Sequence, residues 1–192
     1  MAIRPSMIAV LLLSPALLAQ ERTVALDPRT TEIHFTLGAT LHTVEGSVRL
    51  REGEIRFDAQ TRTVSGRVVI DARSAETGND RRDRKMHREV LESDRFPEIV
   101  FEPERIEGTL RTPGSSDVTL EGVLRIHGSA HPVSLPLEVE IRADAVKATG
   151  RLRVPYVQWG LEDPSVFVLR VDKYVDVNLE AEGRILETAG GP

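Results

Sequence analysis

Apolar and polar residues alternate with a period of two along most of this chain, which is the pattern of β-strands that bury one face. The clearest runs cover residues 118–126, 133–141 and 167–181. Weaker runs cover residues 33–37, 41–51, 54–58, 64–71 and 98–106. Many antiparallel strands at short spacing predict an all-β sandwich or barrel.

Turn-forming residues separate these runs and set the predicted strand ends. The turns are placed at Asp27-Pro28, Gly38, Arg51-Glu52-Gly53, Asp58-Ala59-Gln60, Thr112-Pro113-Gly114, Gly128 and Asp163-Pro164. Lys173 interrupts the apolar face of residues 167–181. We predict a bulge around Asp172 and Lys173, from which the ammonium group reaches water.

One stretch, residues 79–91, has a helical pattern instead of alternation. Val90 and Leu91 belong to a narrow apolar stripe among many charged residues, and Asn79 or Asp80 can cap the first turn. We therefore predict one short helix, which follows about the fourth strand and packs near one end of the strands.

The N-terminal 19 residues have the three-part pattern of a secretory signal peptide. Arg4 precedes an unbroken apolar run, residues 7–13, which is too short to span a bilayer, and small residues follow it. Cleavage is expected after Ala19, with an uncleaved anchor as the alternative. The pattern predicts a secreted or periplasmic protein.

Composition limits both the architecture and the partners of the chain. With residues 1–19 as signal peptide, residues 20–186 are enough for one domain, and residues 187–192 are expected to form a disordered tail. The chain has no cysteine, so its stability must come from an ordinary core. Its formal net charge of −5, spread over a mixed surface, argues against nucleic acid or anionic membranes as partners.

Several segments, taken in their order along the chain, form a more specific pattern. They are TTEIHFTLGATLHTVEGSVRL, GEIRFDAQTRTVSGRVVIDARSAETGNDRRDRKMH, RFPEIVFEPERIEG and VTLEGVLRIHGSAHPVSLPLEVE. In this order they resemble the YceI-like family of bacterial secreted proteins, over residues 23–183. The resemblance implies an antiparallel, up-and-down, lipocalin-like β-barrel of about eight strands with one short helix. It also implies binding of a polyisoprenoid lipid.

Two positions depart from the pattern of many family members. Trp159 precedes Gly160 where many members have phenylalanine, and Gly38 stands where many have a histidine after the first strand. Aromatic residues make up only 4% of the chain, so the interior of the barrel is expected to be mainly aliphatic. These departures concern the identity of the ligand rather than the fold.

An eight-stranded barrel is just wide enough either to be filled by its own side chains or to hold one slim ligand. The residues alone favour the filled barrel, and the family resemblance favours the ligand. The residues predicted to line the lumen are Phe35, Leu37, Phe101, Leu124, Leu137, Trp159 and Phe167. His42 and Tyr156 are candidate contacts for a head group. A core histidine with satisfied hydrogen bonds is the alternative for His42.

The other histidines give weaker signals. His127 and His131 flank a predicted turn and are expected to be solvated. No histidine pair has the spacing of a helical or zinc-ribbon metal site, so no metal is expected.

The chain contains no P-loop, no dinucleotide fingerprint and no G-x-S-x-G elbow, so we predict a binding protein rather than an enzyme. The expected ligand is a long apolar lipid, of polyisoprenoid or quinone type, carried or sequestered without covalent attachment. No other cofactor is expected. The alternative is a packed barrel that serves as a structural or interaction module. A redox-linked accessory of a membrane cytochrome or another envelope partner, and pairing as a homodimer, also stay open.

Overall fold

The computed structural model describes residues 21–40, 42–58, 61–165 and 170–186. The predicted signal peptide, the predicted tail and Phe167 lie outside the described residues. The strands are β1 (Glu21–Leu26), β2 (Glu32–Gly38), β3 (Thr43–Asp58), β4 (Thr63–Glu76), β5 (Glu98–Gly108), β6 (Gly114–Ile126), β7 (Ser129–Arg142), β8 (Ala145–Val154) and β9 (Val175–Leu186). A helix, α1 (Asp80–Lys85), and a π-helical turn (Met86–Val90) lie between β4 and β5.

The strands form one closed, antiparallel barrel. Each strand from β2 to β9 pairs with the next one along the chain, and β9 pairs back with β2. The result is an up-and-down barrel of eight strands with one additional strand, which confirms the predicted fold class. Each strand from β2 to β9 therefore has a hydrogen-bonded neighbour on both sides over part of its length, so the sheet of the described residues has no free edge strand.

The additional strand β1 lies in the same place between β3 and β9 as β2, but farther along these two strands. Val24 of β1 lies opposite Ile55 of β3 and Ile185 of β9, whereas β2 pairs with the other halves of the same two strands. Residues 27–31 loop out between β1 and β2, and the backbone N–H of Asp27 donates to the carbonyl oxygen of Glu182 at 2.8 Å. The two short strands β1 and β2 thus share one strand position of the barrel.

The predicted strand ends were wrong at several places. β3 runs through the predicted turn at residues 51–53, and its pairing with β4 shifts register between Leu50 and Glu52. A bulge of this kind absorbs an extra residue while the strand continues, so turn-forming residues did not end β3. The alternation pattern also missed β1 and β8, and in β8 the small residues Ala148 and Gly150 occupy apolar positions and weaken the signal.

The last predicted strand was too long. β9 begins only at Val175, and Val171 makes an isolated bridge with Ala39. Lys173, predicted at a bulge, lies instead in the connection before β9, where its Nζ is 2.7 Å from Oδ2 of Asp163. Its side chain is exposed, as expected for an ammonium group that reaches water.

The predicted helix is confirmed, together with its cap. The side-chain oxygen of Asn79 accepts a hydrogen bond from the backbone N–H of Arg82 at 3.1 Å, which satisfies one of the free donors of the first turn. Val90 and Leu91, at the end of the π-helical turn, pack against apolar side chains at one end of the barrel. We call this end, where α1 lies, the helix end.

Gly66 allows β3 and β4 to approach closely. Its φ is +136°, and a Cβ at this position would collide with the carbonyl oxygen of Glu54 and lie 3.0 Å from the Cα of Ile55. We expect Gly66→Ala to lower the free energy of unfolding by about 2–4 kcal/mol, measured by urea denaturation, because backbone strain and a clash add together.

Gly78 provides the matched control for this substitution. It also has a positive φ, +72°, but a Cβ there would meet nothing within 4 Å. Gly78→Ala should therefore cost only the conformational penalty, about 1 kcal/mol. Equal losses in the two variants would show that the close approach at Gly66 does not matter.

Candidate functional site: the apolar interior below the helix end

The inward face of the barrel follows from the strand register. Residues directly opposite one another in neighbouring strands share a face of the sheet. One such row runs across four strands, from Val68 through Phe101 and Leu124 to His131. Because the first three belong to the main apolar cluster, the whole row points into the barrel.

The main cluster fills the middle of the barrel and the end opposite α1. Its buried members are Val24, Phe57, Val64, Phe101, Val118, Leu120, Leu124, Leu135, Leu137, Val139 and Ile141. Most of them come from β6 and β7, whose inward residues alternate regularly with exposed ones. This part of the interior is packed mainly with aliphatic side chains, with Phe57 and Phe101 among them, as the low aromatic content predicts.

A second, smaller cluster caps the helix end. Its buried members are Ile126, Val154, Tyr156 and Leu161. Val154 ends β8, whereas Tyr156 and Leu161 come from the connection between β8 and β9. This connection also contacts the helical segment, because Nζ of Lys85 donates to the carbonyl oxygen of Pro164 at 3.3 Å. The two long connections of the barrel therefore meet over the same end.

Below this cap, six inward apolar side chains of β2, β8 and β9 are only half-buried, whereas Ile33 and Ala181 on the same faces are buried. The six are Phe35, Leu37, Leu152, Val175, Val177 and Leu179. Phe35 lies opposite Val177, and Val177 lies opposite Leu152, so they form a continuous row. Since these side chains point inward, the apolar surface that they leave uncovered is the candidate binding surface.

The backbone pairing between β7 and β8 stops short of the helix end. These strands pair from Leu137 opposite Gly150 to Arg142 opposite Ala145, whereas the first half of β7 pairs, among the described residues, only with β6, which leaves a gap in the pairing. Pro132 lies in this half of β7 and has no N–H to offer a neighbour. The gap between β7 and β8 lies beside the half-buried part of the lumen.

His131 and Trp159 stack on each other beside this gap. Their ring centroids are 4.2 Å apart and their planes differ by 4°. Trp159 also packs against both apolar clusters, which places the stacked pair at the junction between them. The pair therefore contributes to the inner surface where the two clusters meet.

The prediction that His131 is solvated was wrong. Its Nε2 atom is buried and has no hydrogen-bond partner, and burial lowers the pKa of its side chain from the usual value. The signal that places it correctly is the period of two, because His131 is in phase with Val133 and Leu135 of the same strand. Its nearness to a predicted turn obscured that signal.

The residues predicted to line the lumen lie in different parts of the interior. Phe101, Leu124 and Leu137 are buried in the main cluster, and Leu37 packs against the second cluster. Phe35 contributes to the half-buried row described above. As contacts to a ligand, these residues stay predictions.

Neither predicted head-group contact offers a free polar group to the lumen. His42 precedes β3 and is exposed, so its predicted place on the apolar face of a strand was wrong. Tyr156 is 3% exposed, and its hydroxyl donates to the carbonyl oxygen of Asp172 at 2.9 Å. Burial raises the pKa of Tyr156 to about 12, so it keeps the proton that it donates. Its hydroxyl holds the β8–β9 connection in place.

A groove of about 640 Å³ lies beside residues 25–30, at the end of the barrel opposite α1. Its lining includes charges of both signs that pair with one another, for example Arg29 with Asp27 at 2.9 Å. Within the described ranges, no three acidic or histidine side chains are grouped to hold a metal ion. No helix in the same ranges is long and apolar enough to cross a membrane.

A closed up-and-down barrel whose apolar interior is half-uncovered at one end is a lipocalin-like barrel. The sequence matches the YceI-like domain over residues 25–183, and the chain belongs to the YceI-like family. A search among curated proteins finds no match.

Solved structures share this fold at low sequence identity. A polyisoprenoid binding domain from Saccharophagus degradans superposes with a TM-score of 0.65 and 16% identity, covering 85% of this chain and 98% of that one. BcnA of Burkholderia cenocepacia gives 0.65 and 17%, covering 82% and 98%. The YceI protein of Campylobacter jejuni gives 0.61 and 16%, covering 77% and 88%.

Proposed function

We propose that this protein binds a long apolar lipid of polyisoprenoid or quinone type in its lumen, without covalent attachment and without catalysis. The observation that carries the proposal is the row of inward apolar side chains, centred on Val177, that the protein leaves half-uncovered below the cap. A fully packed barrel would bury these side chains. The Saccharophagus degradans relative, described as a polyisoprenoid binding domain, supports the choice of ligand class.

Burial of apolar surface provides enough free energy for such a ligand. One five-carbon isoprenoid unit contributes roughly 4 kcal/mol, at about 0.8 kcal/mol per carbon. Three units contribute about 12 kcal/mol, against at least ~4 kcal/mol lost on association. With the smallest of these costs the difference is about 8 kcal/mol, which corresponds to micromolar affinity, and each further isoprenoid unit adds to it. An apolar slot therefore suffices for binding, and a polar contact would add selectivity.

The proposed place of action is the periplasm or the exterior of the cell. The signal-peptide pattern of residues 1–19 supports this location. A lipid with many isoprenoid units has negligible solubility in water. To cross the aqueous periplasm or the medium outside the cell, it needs a carrier that shields it from solvent.

Native mass spectrometry tests the proposal most directly. The secreted protein is purified without detergent, measured intact and then extracted with organic solvent. We expect a discrete adduct of roughly several hundred daltons, consistent with a lipid whose burial offsets the cost of association. The extract should contain a prenyl chain, with or without a quinone ring.

A clean mass without adduct, combined with no rise in melting temperature on addition of prenyl lipids, would overturn the proposal. A ligand that binds only the native state must stabilise it, so the second measurement covers loss of the ligand during purification. That combined result would favour the packed barrel acting as a structural or interaction module.

A further inference from the structure

His131 stands apart chemically from the rest of the lumen. On the described inward faces of β6, β7, β8 and β9 it is the one ionisable side chain among aliphatic residues and glycines, with Ser116 and Ser129 as the further polar residues. Its Nε2 atom is buried and makes no hydrogen bond. A buried polar atom without a partner is costly, so the protein gains no stability from it.

Protein atoms cover Nε2 of His131 in this structure, so a ligand reaches it only after they move aside. His131 belongs to the inward row with Leu124 and Phe101, and its ring is held flat against Trp159. It also lies in the half of β7 whose pairing, within the described ranges, is with β6 only, next to the gap in the pairing with β8. A lipid lying along the half-buried row at Val177 would have its end within the same part of the barrel.

We propose that Nε2 of His131 makes the hydrogen bond to an uncharged oxygen head group, a hydroxyl or a carbonyl, of the lipid in the lumen. A neutral imidazole nitrogen can accept from a hydroxyl in one tautomer or donate to a carbonyl in the other. This inference rests on the proposed function and adds to it the chemistry of the head group.

The charge balance of the site favours an uncharged head group over a pyrophosphate. Burial lowers the pKa of His131, so the ring is held in its neutral form. The described inward faces of β6 to β9 carry no lysine or arginine that would compensate a buried anion. The lysines of the nearby connections are already engaged: Lys173 with Asp163, and Lys85 with the carbonyl oxygen of Pro164.

The test measures the affinity of the purified protein for three probes with the same prenyl chain. They are geranylgeraniol, the corresponding hydrocarbon without the hydroxyl, and geranylgeranyl pyrophosphate. Trp159 is the only tryptophan of the chain, so its intrinsic fluorescence reports binding at the stacked pair. We expect the wild type to bind the alcohol about tenfold more tightly than the hydrocarbon, since one hydrogen bond then satisfies a buried nitrogen.

His131→Phe keeps a flat ring against Trp159 and removes the nitrogen. We expect this variant to bind the alcohol and the hydrocarbon equally well. It should unfold at the same or a higher urea concentration than the wild type, because an unsatisfied polar atom is replaced by an apolar one. His34→Phe is the matched control, since His34 lies exposed on β2 beside Glu32, and it should keep the tenfold preference.

The outcomes separate this inference from the function on which it rests. Equal binding of alcohol and hydrocarbon by the wild type would overturn the head-group contact while leaving lipid binding intact. A preference retained in His131→Phe, or tightest binding of the pyrophosphate, would overturn it as well. If the wild type binds none of the probes, the proposed function fails, and the inference fails with it.

Discussion

Replacing Val177 by tryptophan is expected to abolish most of the lipid affinity. Val177 points inward between Phe35 and Leu152, in the half-buried row that would contact the ligand. An indole at this position would occupy the space of about one isoprenoid unit. Loss of one unit removes roughly 4 kcal/mol of binding free energy from burial. This loss corresponds to a dissociation constant about 1000-fold larger.

The neighbouring residue gives the matched control for this experiment. Asn178 is exposed and lies on the outer face of the same strand, so Asn178→Trp adds the same side chain outside the barrel. Both variants are titrated with geranylgeraniol, and both melting temperatures are measured to confirm folding. If Val177→Trp binds as tightly as Asn178→Trp while both are folded, the ligand does not occupy this part of the lumen.

Truncation of Phe101 is expected to cause the largest loss of stability. Phe101 is 7% exposed and lies between Val68 and Leu124 in the inward row of the main cluster. Removal of a buried phenylalanine side chain loses its burial and leaves a cavity. We therefore expect Phe101→Ala to lower the free energy of unfolding by about 3–5 kcal/mol in urea denaturation.

Glu102, the next residue along β5, gives the comparison. Its carboxylate accepts a hydrogen bond from Nε of Arg125 at 2.8 Å on the exposed face of the sheet. Glu102→Ala should change the unfolding midpoint little, because exposed ion pairs contribute little to stability. Similar losses of unfolding free energy in the two variants would mean that Phe101 and Glu102 do not lie on a buried and an exposed face of β5, contrary to the register.

The fold class was predictable from sequence because alternation marks each strand independently of its neighbours. β6 and β7 show this clearly, since nearly every second residue is a buried aliphatic side chain. β8 was missed because Ala148 and Gly150 carry too little apolar surface to show the pattern. The break before β9 was missed because Val171 continues the alternation, although it makes only an isolated bridge with Ala39.

The candidate site was less predictable, because it depends on the pairing of strands. The half-buried row brings together Phe35, Leu152 and Val177, which come from three strands and are far apart along the chain. Its existence could be expected from the family resemblance, but its position could not. His131 was misjudged because its nearness to a predicted turn obscured its phase with Val133 and Leu135, and the register with Leu124 then shows that its ring points inward.

The pairing of β9 with both β1 and β2 has a consequence for how the protein folds. The strands that close the barrel come from opposite ends of the chain, so closure is a contact of long sequence separation, and such contacts form slowly. Until β9 has docked, β2 and β8 each present an unpaired edge to which another chain could add. The interior that would hold a lipid is therefore closed only once β9 has paired, and a chain in which β9 is unpaired offers no enclosed site for one.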